Sequence, residues 1–199
     1  MSRKSKSSGF LAPVVTLVAI ASVSAAVLGL VHQVTLQPIQ EAENAKELAA
    51  IAEVTDEFDN NPFEEQRVIQ TKNKKHKLTM YPARKDGKLH SVAIKTYTNT
   101  GFGGRIDVIA GFNVDGSIKT FKVISASETP GLGAKIDEPK FKEQFNGFHP
   151  RKQILKVRQD GGDVDAVTAA TISSRAVLRA LSRAFDALNH FNSEYEHEE

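Results

Sequence analysis

The 199-residue chain is 40% apolar and 25% charged with a net charge of +2, which fits a globular domain with an appendage and gives a nucleic-acid partner no support. It contains no cysteine, which excludes disulfides, thiolate zinc sites, cysteine-held iron–sulfur clusters and thioether-attached haem. If such a chain moves electrons, flavin is the natural carrier that remains.

Residues 1–8 form a basic arm with Arg3, Lys4 and Lys6, and residues 9–31 run apolar; no Asp, Glu, Lys or Arg lies between Ser7 and Gln40. At 1.5 Å per residue, 9–31 gives a transmembrane helix of roughly 34 Å, enough to cross a bilayer core. Ala19-Ile20-Ala21 offers a signal-peptide cleavage site, but the apolar run continues from Ser22 to Val31, which favours an uncleaved anchor. The basic start, with Glu41, Glu43 and Glu47 beyond the span, places the N-terminus in the cytoplasm and the rest of the chain outside. Residues 32–66 read as an amphipathic helical linker. Between Ile39 and about Phe58, the residues Ile39, Ala42, Ala45, Leu48, Ala49 and Ala52 share one face. This helix is a spacer or, alternatively, docks on a partner protein; Asn60-Asn61-Pro62 ends it.

Residues 67–192 form the main domain, and 193–199 an acidic tail. The basic stretch from Arg67 to Lys95 lacks the aromatic interleaving of a nucleic-acid site; it is a solvated hairpin face, or an anion site for lipid or nucleotide. Asp86-Gly87 between Leu78–Tyr81 and Leu89–Tyr97 predicts one hairpin, and Asp115-Gly116 between Ile106–Val114 and Ile118–Ser125 a second. Between them, Gly101-Phe102-Gly103-Gly104 fails the dinucleotide spacing but permits close approach of backbone to a planar ligand, or a bulge in the sheet. The loop Ser127-Glu128-Thr129-Pro130-Gly131-Leu132-Gly133-Ala134-Lys135 predicts a tight turn with Gly133 free to take positive φ. Phe141, Phe145 and Phe148 suit a short helix whose aromatic face is buried. The six histidines show no metal-ligand spacing, and no Ser-His-Asp set can be nominated.

The last helix carries Val177, Ala180, Leu181, Ala184, Phe185 and Leu188 at helical spacing, which predicts a start near Thr168 with Thr168 as N-cap. Thr171 then falls in the first turn, where unpaired N–H groups and the positive dipole end favour a phosphate. The two threonines cap the helix, or Thr171 is the attachment point of a phosphorylated cofactor.

Asp165-Ala166-Val167-Thr168-Ala169-Ala170-Thr171-Ile172-Ser173 resembles the flavinylation signature of the FMN-binding domain family. Glu128-Thr129-Pro130-Gly131-Leu132-Gly133 and the stretch Gly101 to Ile106 resemble two further motifs of that family, in the same order. The resemblance implies covalent FMN, joined as a phosphoester to Thr171 by a separate flavin transferase, with Thr168, Ala169 and Ala170 beside the phosphate. It also implies that Glu128, Thr129, Gly131, Leu132, Gly133 and Lys135 line the ring or its polar edge. Lys135 or Arg175 would neutralise the phosphate. Ala169 stands where the family usually has Gly; in a helix starting at Thr168 its methyl is well placed, though it narrows the phosphate side.

The layout resembles the G subunits of Rnf electron-transport complexes, with the longer C subunits of sodium-translocating NADH:quinone reductases as the near alternative. An anchored, non-redox scaffold domain with a decayed flavin motif is the reading of another class. The expected fold is α+β: one N-terminal transmembrane helix, then an extracytoplasmic FMN-binding domain of antiparallel hairpins packed by helices. The implied setting is the bacterial inner membrane, with the Rnf A, B, C, D and E subunits as partners in ferredoxin:NAD electron transfer coupled to ion movement. Such a chain would not be a catalyst alone.

Overall fold

The computed structural model describes residues 9, 11–128 and 133–195. Helix α1 spans Leu11–Val54 with Pro38 inside it, one continuous element where the pattern predicts a span at 9–31 and a separate helix from Ile39. Among the described residues it is the one helix long and apolar enough to cross a membrane. The chain divides into two compact units between Ala45 and Lys46. In the first, apolar side chains such as Leu17, Val23 and Leu28 are exposed.

The second unit is built on a five-stranded antiparallel sheet in simple chain order: β1 Arg67–Gln70, β2 Lys77–Lys85, β3 Lys88–Thr98, β4 Ile106–Asn113 and β5 Ile118–Ala126. Both Asp-Gly pairs turn hairpins as expected. Asp86 and Gly87 take φ of 52° and 74°, the left-handed pair that a two-residue hairpin turn requires. At the second turn Asp115 accepts from the backbone N–H of Ser117 at 2.8 Å and from its hydroxyl at 2.6 Å. Strand β1, at the edge of the sheet beside β2, is hidden in the basic stretch of the sequence because it is only four residues long.

Helix α3, Thr171–Tyr195, covers one face of the sheet. Its Val177, Ala180, Leu181, Ala184 and Leu188 are buried in a core with Ile94, Val108, Phe112 and Phe121. Phe185 stacks on Phe112 with ring centroids 6.4 Å apart. The predicted aromatic helix is split into α2, Pro139–Lys142, and a 3-10 turn at Glu143–Phe145. All three phenylalanines are nevertheless buried, with Phe141 and Phe145 meeting Phe121 edge-on.

The other face of the sheet is covered by the last turns of α1. Ala50, Ile51 and Val54 are buried against Tyr81, Ala93 and Ile109, whereas Leu48, Ala49 and Ala52, on the face the sequence favours, are exposed. Alanine counts too little toward a hydrophobic stripe to locate it, and the true face is marked by Ile51 and Val54. The segment expected as a linker therefore ends inside the domain. Polar contacts hold it there. Tyr81 donates to Glu47 at 2.6 Å, and Lys95 pairs with the same carboxylate at 2.6 Å. Lys122 and Lys142 converge on Glu53 at 3.1 and 2.8 Å. Burial works to raise the Glu53 pKa, and hydrogen bonds from Lys142 and Lys122 outweigh it, so the carboxyl sits below its ordinary value.

Gly111 of β4 sets how closely α1 approaches, since a Cβ there would lie 1.8 Å from the Val54 carbonyl oxygen. Gly111→Ala is expected to destabilise the domain by about 1–3 kcal/mol, the range for forced overpacking. A lowered denaturant midpoint of the full chain in detergent checks it; an unchanged midpoint would mean the helix end is not seated there.

Candidate functional site

Three segments meet at the end of the sheet: the glycine loop before β4, the residues after β5, and the start of α3. Their meeting point is Glu128. Its Oε2 accepts the Ser173 hydroxyl at 2.8 Å, and its Oε1 faces the Gly103 N–H at 3.4 Å. A Cβ on Gly101 would lie 2.3 Å from Oε1, one on Gly133 2.3 Å from Oε2, and one on Gly103 1.7 Å from the Ser127 carbonyl oxygen. Glycine at these positions is thus dictated by close approach. Gly133 does not take the positive φ expected of it; the carboxylate beside it is what excludes a side chain.

The start of α3 also differs from the expectation. A turn closes from the Ala170 N–H to the Val167 carbonyl at 3.0 Å, and the Ala170 carbonyl accepts the first helical bond, from the Ser174 N–H at 2.9 Å. The helix begins at Thr171, not Thr168, so Thr168 is not its N-cap. Buried Ser174 holds the turn instead: its hydroxyl accepts the Val167 N–H at 3.0 Å and donates to the Ala170 carbonyl at 3.0 Å. The break is at Ala169, whose φ is +62°, a left-handed conformation incompatible with a right-handed helix. The methyl of Ala169 therefore sits in a strained turn, not in a helix where alanine is at home, and this is where a glycine would be at ease.

Thr171 occupies the first helical position. Its hydroxyl has no hydrogen-bond partner among the described residues, and the N–H groups that open any helix lack intrahelical partners. A cavity of about 290 Å³ is lined by Thr171, Ala169, Ala170 and Ser173 with Glu128 and Gly133, and its apolar rim is Phe102 and Ile172. Glu128, Gly133, Ala169, Ala170 and Thr171 are thus brought together. Thr168 and Lys135 are not: they line a separate cavity of about 500 Å³ with Phe141 and Gln144. Thr129, Gly131 and Leu132 lie outside the described residues. Arg175 is paired with Asp160 through two contacts of 2.7 Å, and that bonding raises its pKa and lowers that of Asp160. Among the described residues, the only ionisable side chain at the Thr171 cavity is Glu128. An anion seated there would meet the helix start, not a cation.

Asp165, first residue of the motif, is structural. Its N–H donates to Gln144 Oε1 at 2.7 Å and its carboxylate pairs with Arg158 at 2.8 Å. Sequence reasoning does not single out Phe102, Ile172, Ser173 or Ser174. The last two are visible as consecutive hydroxyls at the end of the motif, but their division of labour needs the fold.

A free hydroxyl, a helix start and a glycine cradle fit an esterified phosphate with a planar group beyond it. The model of the FMN-binding domain matches residues 101–186, the segment that contains all three. The G subunit of the ion-translocating oxidoreductase complex of Vibrio atlanticus is 33% identical over 86% of this chain and 87% of its own length. This chain belongs to that family of G subunits. A second member, from Cereibacter sphaeroides, is 33% identical over 86% of this chain and 81% of that one. A third, from Erwinia tasmaniensis, reaches 40% over 52% of each. The crystal structure of Shewanella oneidensis NqrC shares the fold, with a TM-score of 0.51, 23% identity, and coverage of 75% of this chain and 73% of that one. The expected α+β architecture and the family resemblance both hold.

Left-handed alanine costs about 1–2 kcal/mol, and glycine returns part of that gain through unfolded-state entropy. Ala169→Gly is therefore expected to stabilise the domain by about 0.5–1 kcal/mol, whereas Arg179→Gly on the exposed side of α3 should cost about 1 kcal/mol. Equal losses in the two variants, measured by denaturant unfolding, would contradict the turn at Ala169.

Proposed function

We propose that this chain is the membrane-anchored flavoprotein component of an ion-translocating oxidoreductase complex of the Rnf type, carrying FMN as a phosphoester of Thr171. The observation that carries the reading is the Thr171 hydroxyl, unpartnered among the described residues, at the first position of α3. It lies in a cavity within the segment matched by the FMN-binding domain. The name its relatives carry supports the complex, and the apolar α1 supports the anchor. When bound, FMN supplies the capacity to accept and donate electrons singly, which no side chain here offers.

The chain's own residues do the rest. Thr171 Oγ carries the ester, and the N–H groups opening α3 stabilise the phosphate through their partial positive charge. Ala169 and Ala170 form the turn that keeps the backbone clear of it. Gly101, Gly103 and Gly133 let the surrounding backbone close on Glu128, which holds the walls together and presents a carboxylate to the polar edge of the ring. Thr129, Gly131, Leu132 and Lys135 belong to the same loop and complete the ring's surroundings in this reading, and Thr168 flanks the phosphate turn. A flavin transferase installs the cofactor, and the Rnf A, B, C, D and E subunits are the partners in electron relay. The N-terminal arm lies in the cytoplasm and the domain on the outer side of the bacterial inner membrane. The positive-inside bias of Arg3, Lys4 and Lys6 supports that orientation.

A scaffold domain with a decayed motif is the competing class, and alanine at position 169 is the reason to entertain it. The left-handed φ of 62° at Ala169 argues against decay, because the turn that glycine favours is formed with alanine.

The full chain, co-expressed with a flavin transferase and run on a denaturing gel, is expected to give a flavin-fluorescent band. The band should vanish in Thr171→Ala and persist in Thr168→Ala. A dark wild-type band would favour the scaffold reading; fluorescence in Thr171→Ala would move the attachment site.

A further inference from the structure

We infer that Phe102 is the aromatic platform on which the ring of the cofactor rests, an inference that depends on the Thr171 reading above. Phe102 is 68% exposed, yet it lines the cavity that holds Thr171. Its loop is fixed. Gly101 and Gly104 exchange backbone bonds of 2.9 and 3.3 Å, and neither Gly101 nor Gly103 has space for a Cβ. A fixed backbone that presents a large apolar ring to water at a cavity mouth leaves most of that ring's surface uncovered by the protein. Ile172, next to the esterified residue, is 49% exposed and lines the same cavity.

The occupant follows from this chemistry. The polar half of the site, Thr171 with the helix start, takes the phosphate, and the apolar rim takes a flat aromatic surface tethered to it. Aromatic faces prefer offset-stacked or edge-to-face contact at ring separations of about 4.5–7 Å, which a side chain on a rigid loop can provide at little ordering cost. Phe102 is thus a positioning residue: it fixes the ring's plane and shields one face from solvent, leaving the opposite edge for exchange with a partner. A protein partner seated directly on Phe102 is the alternative occupant, and it would leave the flavin indifferent to this side chain.

The test uses the full chain in detergent, co-expressed with a flavin transferase, with flavin content read by intact mass. Phe102→Trp places an electron-rich indole against the ring and is expected to lower fluorescence per bound flavin by on the order of fivefold. Val114→Trp, at a residue 62% exposed outside the site, should leave it unchanged. Phe102→Leu should raise quenching of the flavin by iodide about twofold, since an aliphatic side chain covers less of the ring. Equal fluorescence in the two tryptophan variants, with iodide access unaltered in Phe102→Leu, overturns the platform while the Thr171 reading stands. Loss of flavin from folded Phe102→Leu would assign the residue to the transferase's footprint and also overturn it. Wild-type protein without flavin mass removes both.

Discussion

A half-buried carboxylate ties the site together. Glu128 reaches Ser173 on α3, the N–H of Gly103, and the Cα positions of Gly101 and Gly133, segments far apart in sequence. Hydrogen bonds to an ionised acceptor are worth more than neutral ones, but the larger constraint here is steric. Any side chain at Gly101 or Gly133 would occupy the volume of the carboxylate, so the glycine loop, the loop after β5 and the helix start can meet only if those positions stay bare. The spacing of three sequence motifs is thus one packing condition.

The same logic of close approach recurs on the far face of the sheet. Gly111 lets the final turns of α1 lie against β4, and Glu47 and Glu53 are held by Tyr81, Lys95, Lys122 and Lys142. The domain is therefore a sheet between two helices, one of them the end of the element that also supplies the apolar N-terminal run. Asp137, which pairs with Lys122 and Lys142, also accepts the Val123 N–H at 3.2 Å. This links the helix end to the chain that follows the Glu128 loop.

The sequence discloses much of this, unevenly. Both hairpins are legible because Asp-Gly pairs have few other uses between β-branched runs, and the buried face of α3 is legible because Leu, Val and Phe recur at its period. The seating of α1 is not, since a stripe rich in alanine points nowhere in particular. The start of α3 lies three residues later than the pattern suggests because threonine is a good cap anywhere, and only a left-handed Ala169 shows that the helix cannot reach back to Thr168. Gly133 matters for a reason other than turn geometry: its φ is ordinary, and its neighbour is what excludes a side chain. Lys135 and Arg175 draw interest through charge alone, which carries no direction; Arg175 is engaged with Asp160 and Lys135 lines another cavity. Phe102 escapes notice because a lone aromatic between glycines has no periodicity to mark it.

The central claim concerns the chemical state of one phosphate. A phosphomonoester has a second ionisation near pH 6, so its phosphorus resonance moves between about pH 5 and 8, whereas a diester has no such ionisation. Phosphorus NMR of the flavin-loaded full chain in detergent over that range measures this directly. A single flavin-derived resonance that stays fixed, and disappears with Thr171→Ala, is the expected result. A resonance that titrates like free FMN would mean the cofactor is merely bound, and the claim for Thr171 would be wrong.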